Sequence, residues 1–407
     1  MPTRVTDTCK FSFLFFLTVL SVGAASNSGA AIQVTPYATP SRTGFVSNIA
    51  AGPDGAIWFT EPASNHIGRI TTAGVVTEYP LPTANSDPVG ITAGPDGALW
   101  FTEEINNQIG RITTDGAVTE FPVPAFCIPT DIAAGPDGAL WFTEFGANRI
   151  GRMTTAGQLT EYPLPDSGNP EGIAAGRDGA MWFTEQDSSE IGRITMAGAI
   201  KLFPLPANSY PDAIAAGPDG ALWFAEFGTS QIGRITIAGV VTQYQLQNAP
   251  YWITAGPDGA LWFTERLANR MGRITTDGVV TDYPVDATLD GIAAGPDGAL
   301  WAVGEVAGVT RTPACGLGFS AGVSAGVLTM NFHLGIDTPA TFSILLHDAQ
   351  GEFQPFSKSI PAVVPPRAFT MAWSGFSDKG NVTVRPQLAA AGGQGLCAEW
   401  TTVNTAP

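Results

Sequence analysis

At intervals near forty residues, always two places ahead of an isoleucine, stand Ser47, Val89, Thr130, Glu171, Asp212, Tyr251 and Asp290, with Asp131 beside the third. The carboxylates Glu171, Asp212 and Asp290 share this repeated position, and with Asp131 they are the residues best suited to chemistry. Converging carboxylates offer hard oxygen ligands to a divalent cation or negative charge to a cationic ligand. The alternative is a solvated acidic rim. Other catalytic patterns are missing from the sequence: no Ser-His-Asp order, nucleophile elbow, phosphate loop or dinucleotide fingerprint occurs. The histidines, His66, His333 and His347, show no metal-ligand spacing. Cys127 has no histidine near it in sequence and reads as a small core residue.

The elements that must carry these positions repeat. A signature of the form GPDGALW ends at Trp58, Trp100, Trp141, Trp182, Trp223, Trp262 and Trp301, spaced by 42, 41, 41, 41, 39 and 39 residues. A period near forty with strand-like content predicts four-stranded propeller blades. In the third unit, Asp131 to Ala134 is an inner strand and Gly135-Pro136-Asp137-Gly138 a turn. Ala139 to Glu144, Asn148 to Thr154 and Gln158 to Pro165 complete the blade, the last as an edge strand that tolerates proline. Antiparallel order then brings the start of each inner strand and the end of each second strand to one mouth of the ring. Residues shared by the blades read as architecture. The tryptophans are expected to pack between blades. Glu61, Glu103, Glu144, Glu185, Glu226 and Glu265 are expected to cap the next turn or meet a basic group. Arg69, Arg111, Arg152, Arg193, Arg234 and Arg273 are expected to tie blades together.

The seventh unit lacks its fourth strand, and a matching piece, Val34-Thr35-Pro36-Tyr37, precedes the first unit. The expected fold is therefore an all-β, seven-bladed propeller over residues 31–312 whose last blade is closed by the N-terminal strand, which removes an open edge. Residues 313–407 break the period. Alternating stretches at Val327 to Leu334, Thr341 to Leu346, Phe369 to Trp373 and Asn381 to Val384 predict a small β-sandwich-like domain, bracketed by a Cys315–Cys397 disulfide. Residues 1–25, with Arg4 and Lys10 ahead of an apolar run and Gly23-Ala24-Ala25 after it, read as a signal peptide. The net charge of −17 argues against nucleic acid. We expect a secreted monomer, extracellular or periplasmic, with no membrane span once the leader is removed. Its expected partner is a small molecule, glycan or protein at the channel mouth, with Glu171, Asp212 and Asp131 as ligand-binding residues.

The units G-P-D-G-A-L-W-F-T-E and N-x-I-G-R-I-T-x-x-G-x-x-T-E-Y-P-L-P resemble the blades of the virginiamycin B lyase (streptogramin B lyase) family over roughly residues 31–312. The resemblance implies a Mg²⁺-dependent carbon–oxygen lyase that opens a cyclic depsipeptide at its ester bond by removing an α-proton. In that family, active-site histidines open the inner strands of the last two blades, in P-H-A-I and P-H-G-I. Here those strands begin Pro250-Tyr251-Trp252-Ile253 and Leu289-Asp290-Gly291-Ile292, so Tyr251 and Asp290 stand where the catalytic histidines would be. Thr288 replaces a family glutamate, while Glu305 matches another, leaving Glu305 and Asp290 as the candidate Mg²⁺ ligands. The leading expectation is a ligand-binding or scaffolding propeller, and the alternative is a lyase with altered chemistry.

Overall fold

The computed structural model describes residues 34–41, 45–304 and 308–312 in full, together with the backbone of strands at Asn27–Ser28 and between Gly318 and Asn404. The proposed signal peptide and Glu305 lie outside the described residues. So does Cys315, and the side chain of Cys397 is not described either, so the disulfide falls there too.

Seven sheets, each built on four antiparallel strands, form the blades of the propeller, and the sheet of blade 6 gains a fifth strand. Blade 3 is representative, with strands Pro129–Ala134, Leu140–Glu144, Arg149–Met153 and Leu159–Pro163 in sequence order from the inside out. Closure follows the expectation. Thr35–Tyr37 pairs antiparallel with Gly308–Thr312, the third strand of blade 7, and Tyr37 stacks on Trp301 with ring centroids 5.7 Å apart. That contact repeats in every blade, as between Trp58 and Tyr79 at 5.6 Å, so the N-terminal strand supplies the missing aromatic as well as the missing hydrogen bonds. Ahead of it, Asn27–Ser28 runs parallel to Val280–Pro284 of blade 6, a pairing the sequence does not announce.

The core lies between blades. Trp58 is fully buried in one apolar cluster with Ile91, Leu99 and Phe101 of the next blade, as expected for a tryptophan that packs between blades. Glycine permits the tight packing of the third strand: a Cβ on Gly151 would lie 2.2 Å from the ring of Phe142. In the turn, Gly138 adopts φ +74°, which a side chain disfavours.

The repeated arginines serve a different purpose from the one expected. Each pairs with the turn aspartate of its own blade rather than with a neighbour. Asp137 Oδ1 accepts from the Trp141 indole at 3.1 Å and from the Ala139 amide at 3.3 Å, while Oδ2 accepts from Arg152 Nε at 2.7 Å. The guanidinium then lies 5.8 Å from the centre of the Trp141 ring. The DG turn thus locks strands two and three, because a single carboxylate satisfies an indole that would otherwise be buried without a partner.

The strands between Gly318 and Asn404 form two further antiparallel sheets. One contains Gly318–Ser324, Val327–Ile336 and Val363–Ser374. The other is built on Ala340–Asp348, Gly351–Ile360 and Asn381–Ala390, with Gly395–Cys397 and Thr401–Asn404 both pairing with Asn381–Ala390. The alternating stretches read from the sequence all fall on these strands.

Candidate functional site

A repeated threonine sets the geometry of the mouth. In blades 2 to 5 the inner strand carries a register shift between its proline and its isoleucine, as between Pro129 and Ile132. The extra residue of such a bulge re-aims side chains. It falls on Val89-Gly90, Thr130-Asp131, Glu171-Gly172 and Asp212-Ala213. The hydroxyl of Thr143 accepts from the Asp131 amide at 3.0 Å and donates to the carbonyl of Glu171, in the next blade, at 2.7 Å. Thr102 reaches Thr130, Thr184 reaches Asp212 and Thr264 reaches Asp290 in the same way, at 2.8, 2.6 and 2.8 Å. Blade 5 has Ala225 at this place, so the carbonyl of Tyr251 lacks that donor.

All seven repeated positions line one cavity, joined by Phe45, Asp131, Gly172 and Trp252, of about 470 Å³ counting the solvent in its opening. The four predicted carboxylates are brought together there, but they are not equivalent. Asp131 is committed to structure: its Oδ1 accepts from the Ile132 amide and its Oδ2 from the Ile173 amide, both at 2.9 Å, tying blade 3 to blade 4. Burial pushes its carboxyl up to about 6 despite the two amides.

Glu171 and Asp212 differ from it. No hydrogen bond or ion pair among the described residues engages either carboxylate. Burial raises Glu171 well above the ordinary carboxylate range, reinforced by the charges of Asp212, Asp131 and Glu104. Burial and then the charge of Asp131 push Asp212 up to about 7. Two adjacent, uncompensated carboxylates therefore face the cavity from blades 4 and 5.

The opposite side carries a cation. Arg266, directly after the second strand of blade 6, pairs with Asp290 at 2.8 Å and stacks over the ring of Tyr251 at 5.6 Å from its centre. Sequence reasoning missed this residue. The positions matching it read Pro62, Glu104, Phe145, Gln186 and Phe227, and only blade 6 carries a basic residue there. Asp290, 2% exposed, is thus held by a guanidinium, and burial moves the Tyr251 hydroxyl far above its ordinary range. Neither is suited to take an α-proton. The Thr288 hydroxyl donates to Asn269 Oδ1 at 3.0 Å. Among the described residues, the carboxylate this corner offers, Asp290, is paired with Arg266.

The repeated glutamates at the ends of the second strands lie deep between blades. Three receive a hydroxyl from the following turn, as expected of caps: Ser64 to Glu61, Ser188 to Glu185 and Thr229 to Glu226. A basic partner is the exception, with Arg270 3.8 Å from Glu265. Burial pushes Glu61, Glu103, Glu144 and Glu265 up to about 7. Cys127 is buried in the core as expected, and burial, followed by the charge of Glu144, pushes its thiol up to about 12, which leaves it unreactive. His66 opens a third strand half-buried, its Nδ1 2.6 Å from the Ser64 carbonyl, rather than projecting from a turn.

A closed seven-bladed propeller with its variable residues gathered at one inner mouth is the architecture of a known class. The signature of the virginiamycin B lyase family matches residues 15–126 and 124–312, and the chain belongs to that family. It is 38% identical to virginiamycin B lyase from Staphylococcus aureus, with TM-score 0.65, covering 69% of this chain and 98% of that one. A streptogramin B lyase structure is 35% identical, with TM-score 0.66, covering 69% and 97%. A catalytically inactive histidine-to-alanine variant of the S. aureus enzyme, with quinupristin, is 37% identical, with TM-score 0.66 and coverage of 69% and 98%. No match is found among curated protein sequences.

Proposed function

We propose that this chain is a secreted, ligand-binding member of the family whose inner mouth takes a cationic ligand with an apolar body, and that it is not a streptogramin lyase. The observation that carries the reading is the polarised mouth. Glu171 and Asp212 stand uncompensated on one side. Tyr251, Trp252 and Phe45 line the same cavity, and Arg266 occupies the acid that replaces the last family histidine. An ammonium between carboxylates and aromatic faces gains ion-pair and cation–π attraction together. The loops at this face add exposed apolar residues, Phe126 at 82% and Leu267 at 79% exposure, which would hold the apolar body. Secretion rests on the N-terminal leader pattern. No helix among the described residues is long and apolar enough to cross a membrane.

Family membership supports a second reading, an altered carbon–oxygen lyase in which Glu305 helps to hold Mg²⁺. Incubation of the protein with a streptogramin B antibiotic and MgCl₂, followed by mass spectrometry, separates the two. We expect no linear product. Linearisation abolished by EDTA and by Glu305→Ala would establish the lyase instead.

A further inference from the structure

We propose that the cleft between blades 3 and 4 is a divalent-cation site, calcium by its ligand chemistry, formed by Asp166, Glu185 and Glu190. One oxygen from each lies within 4.8 Å of the others. Glu185 is fully buried, and its Oε1 and Asp166 Oδ1 are buried without a hydrogen-bond partner. Ser188 donates to the other oxygen of Glu185 at 3.0 Å. No arginine or lysine pairs with the three among the described residues.

The same place in the other blades shows that blade 4 is built differently. At the start of the third strand, where blade 4 has Glu190, the others carry His66, Gln108, Arg149, Gln231, Arg270 and, in blade 7, Gly308. In blade 3, Arg149 bonds Glu161 at 2.8 Å, and in blade 5, Gln243 bonds both oxygens of Glu226 at 2.8 and 2.7 Å. Blade 4 instead adds a carboxylate at that position and a further one at Asp166. The residue over the glutamate also changes, from Ser86, Cys127, Ser209 and Asn248 to Gly168. A Cβ there would lie 2.4 Å from Glu185 Oε2, so glycine leaves the space to the carboxylate. Three converging carboxylates are all-oxygen, hard ligands, the set that suits Ca²⁺. The cleft shares no lining residue with the mouth.

Calorimetric titration of the EDTA-stripped protein with CaCl₂ tests the site. Glu190→Gln copies blades 2 and 5, and Glu190→Arg copies blades 3 and 6, so both substitutions have precedent in this fold. Asp212→Asn controls for the mouth. We expect saturable calcium binding in the parent protein and in Asp212→Asn. It should be at least about tenfold weaker in Glu190→Gln and absent in Glu190→Arg. Calcium should also raise the melting temperature of the parent but not of Glu190→Arg. A parent protein that binds no calcium, or binding that survives Glu190→Arg or vanishes in Asp212→Asn, overturns the assignment.

Discussion

Glu103→Gln should stabilise the propeller at pH 8 and have little effect at pH 5. Glu103 is fully buried, and among the described residues neither of its carboxylate oxygens has a hydrogen-bond partner. The neighbouring Ser86 hydroxyl donates instead to the Thr83 carbonyl at 2.8 Å. Burial pushes the carboxyl from an ordinary 4.5 up to about 7. A carboxyl raised on folding contributes its full stability below the unfolded value and loses it as pH climbs through the folded one. At about 1.4 kcal/mol per pH unit, the loss by pH 8 is about 3 kcal/mol. The amide of glutamine removes the charge but still lacks partners, so we expect about 1–2 kcal/mol of the loss to be recovered. Urea unfolding followed by tryptophan fluorescence at pH 5 and pH 8 measures both values. A variant less stable than the parent at pH 8, or equally stabilised at both pH values, would refute the view that burial of a charge governs this position.

Other perturbations follow from the same contacts. Ala225→Thr should supply the hydroxyl that blade 5 lacks and gain about 0.5–1.5 kcal/mol in urea unfolding, whereas Thr143→Val should cost about 1–3 kcal/mol by stranding the Glu171 carbonyl. Asp137→Ala should cost about 2–4 kcal/mol, because it strips the Trp141 indole and the Arg152 guanidinium of one shared partner. Although desolvation opposes it, hydrogen bonds from Trp141 and Arg152 hold this aspartate below 3.8, so the difference should disappear only as pH falls through that lower value, readable by acid unfolding. At the mouth, affinity for an amine should rise as pH climbs through about 7, where Asp212 loses its proton, by up to about tenfold between pH 6 and pH 8 in calorimetry.

Much of this fold is legible in the residues because each blade repeats the same physical solution. GPDG, or GRDG in blade 4, punctuates every inner hairpin, and the displaced Val34-Thr35-Pro36-Tyr37 announces the closing strand. The common line-up of Glu171, Asp212, Tyr251 and Asp290 at one mouth also follows from strand direction alone. The roles within that line-up do not. Asp131 and Asp212 are both aspartates beside the inner strand, yet the bulge turns Asp131 onto two amides and leaves Asp212 facing the cavity. The pairing of Arg266 with Asp290 joins two blades across residues 24 positions apart, and no spacing rule predicts it. The repeated arginines mislead for a similar reason: a cation repeated in each blade looks like a tie between units, but the turn aspartate of its own blade is nearer.

The most direct test of the proposed role is a calorimetric titration of the protein at pH 8 with phenethylamine, an ammonium on an aromatic body, set against the Glu171→Gln/Asp212→Asn double variant. Saturable binding to the parent, at least about tenfold weaker in the variant, is the predicted result. Absence of binding to the parent, or equal binding to both proteins, would contradict a cation-selective mouth.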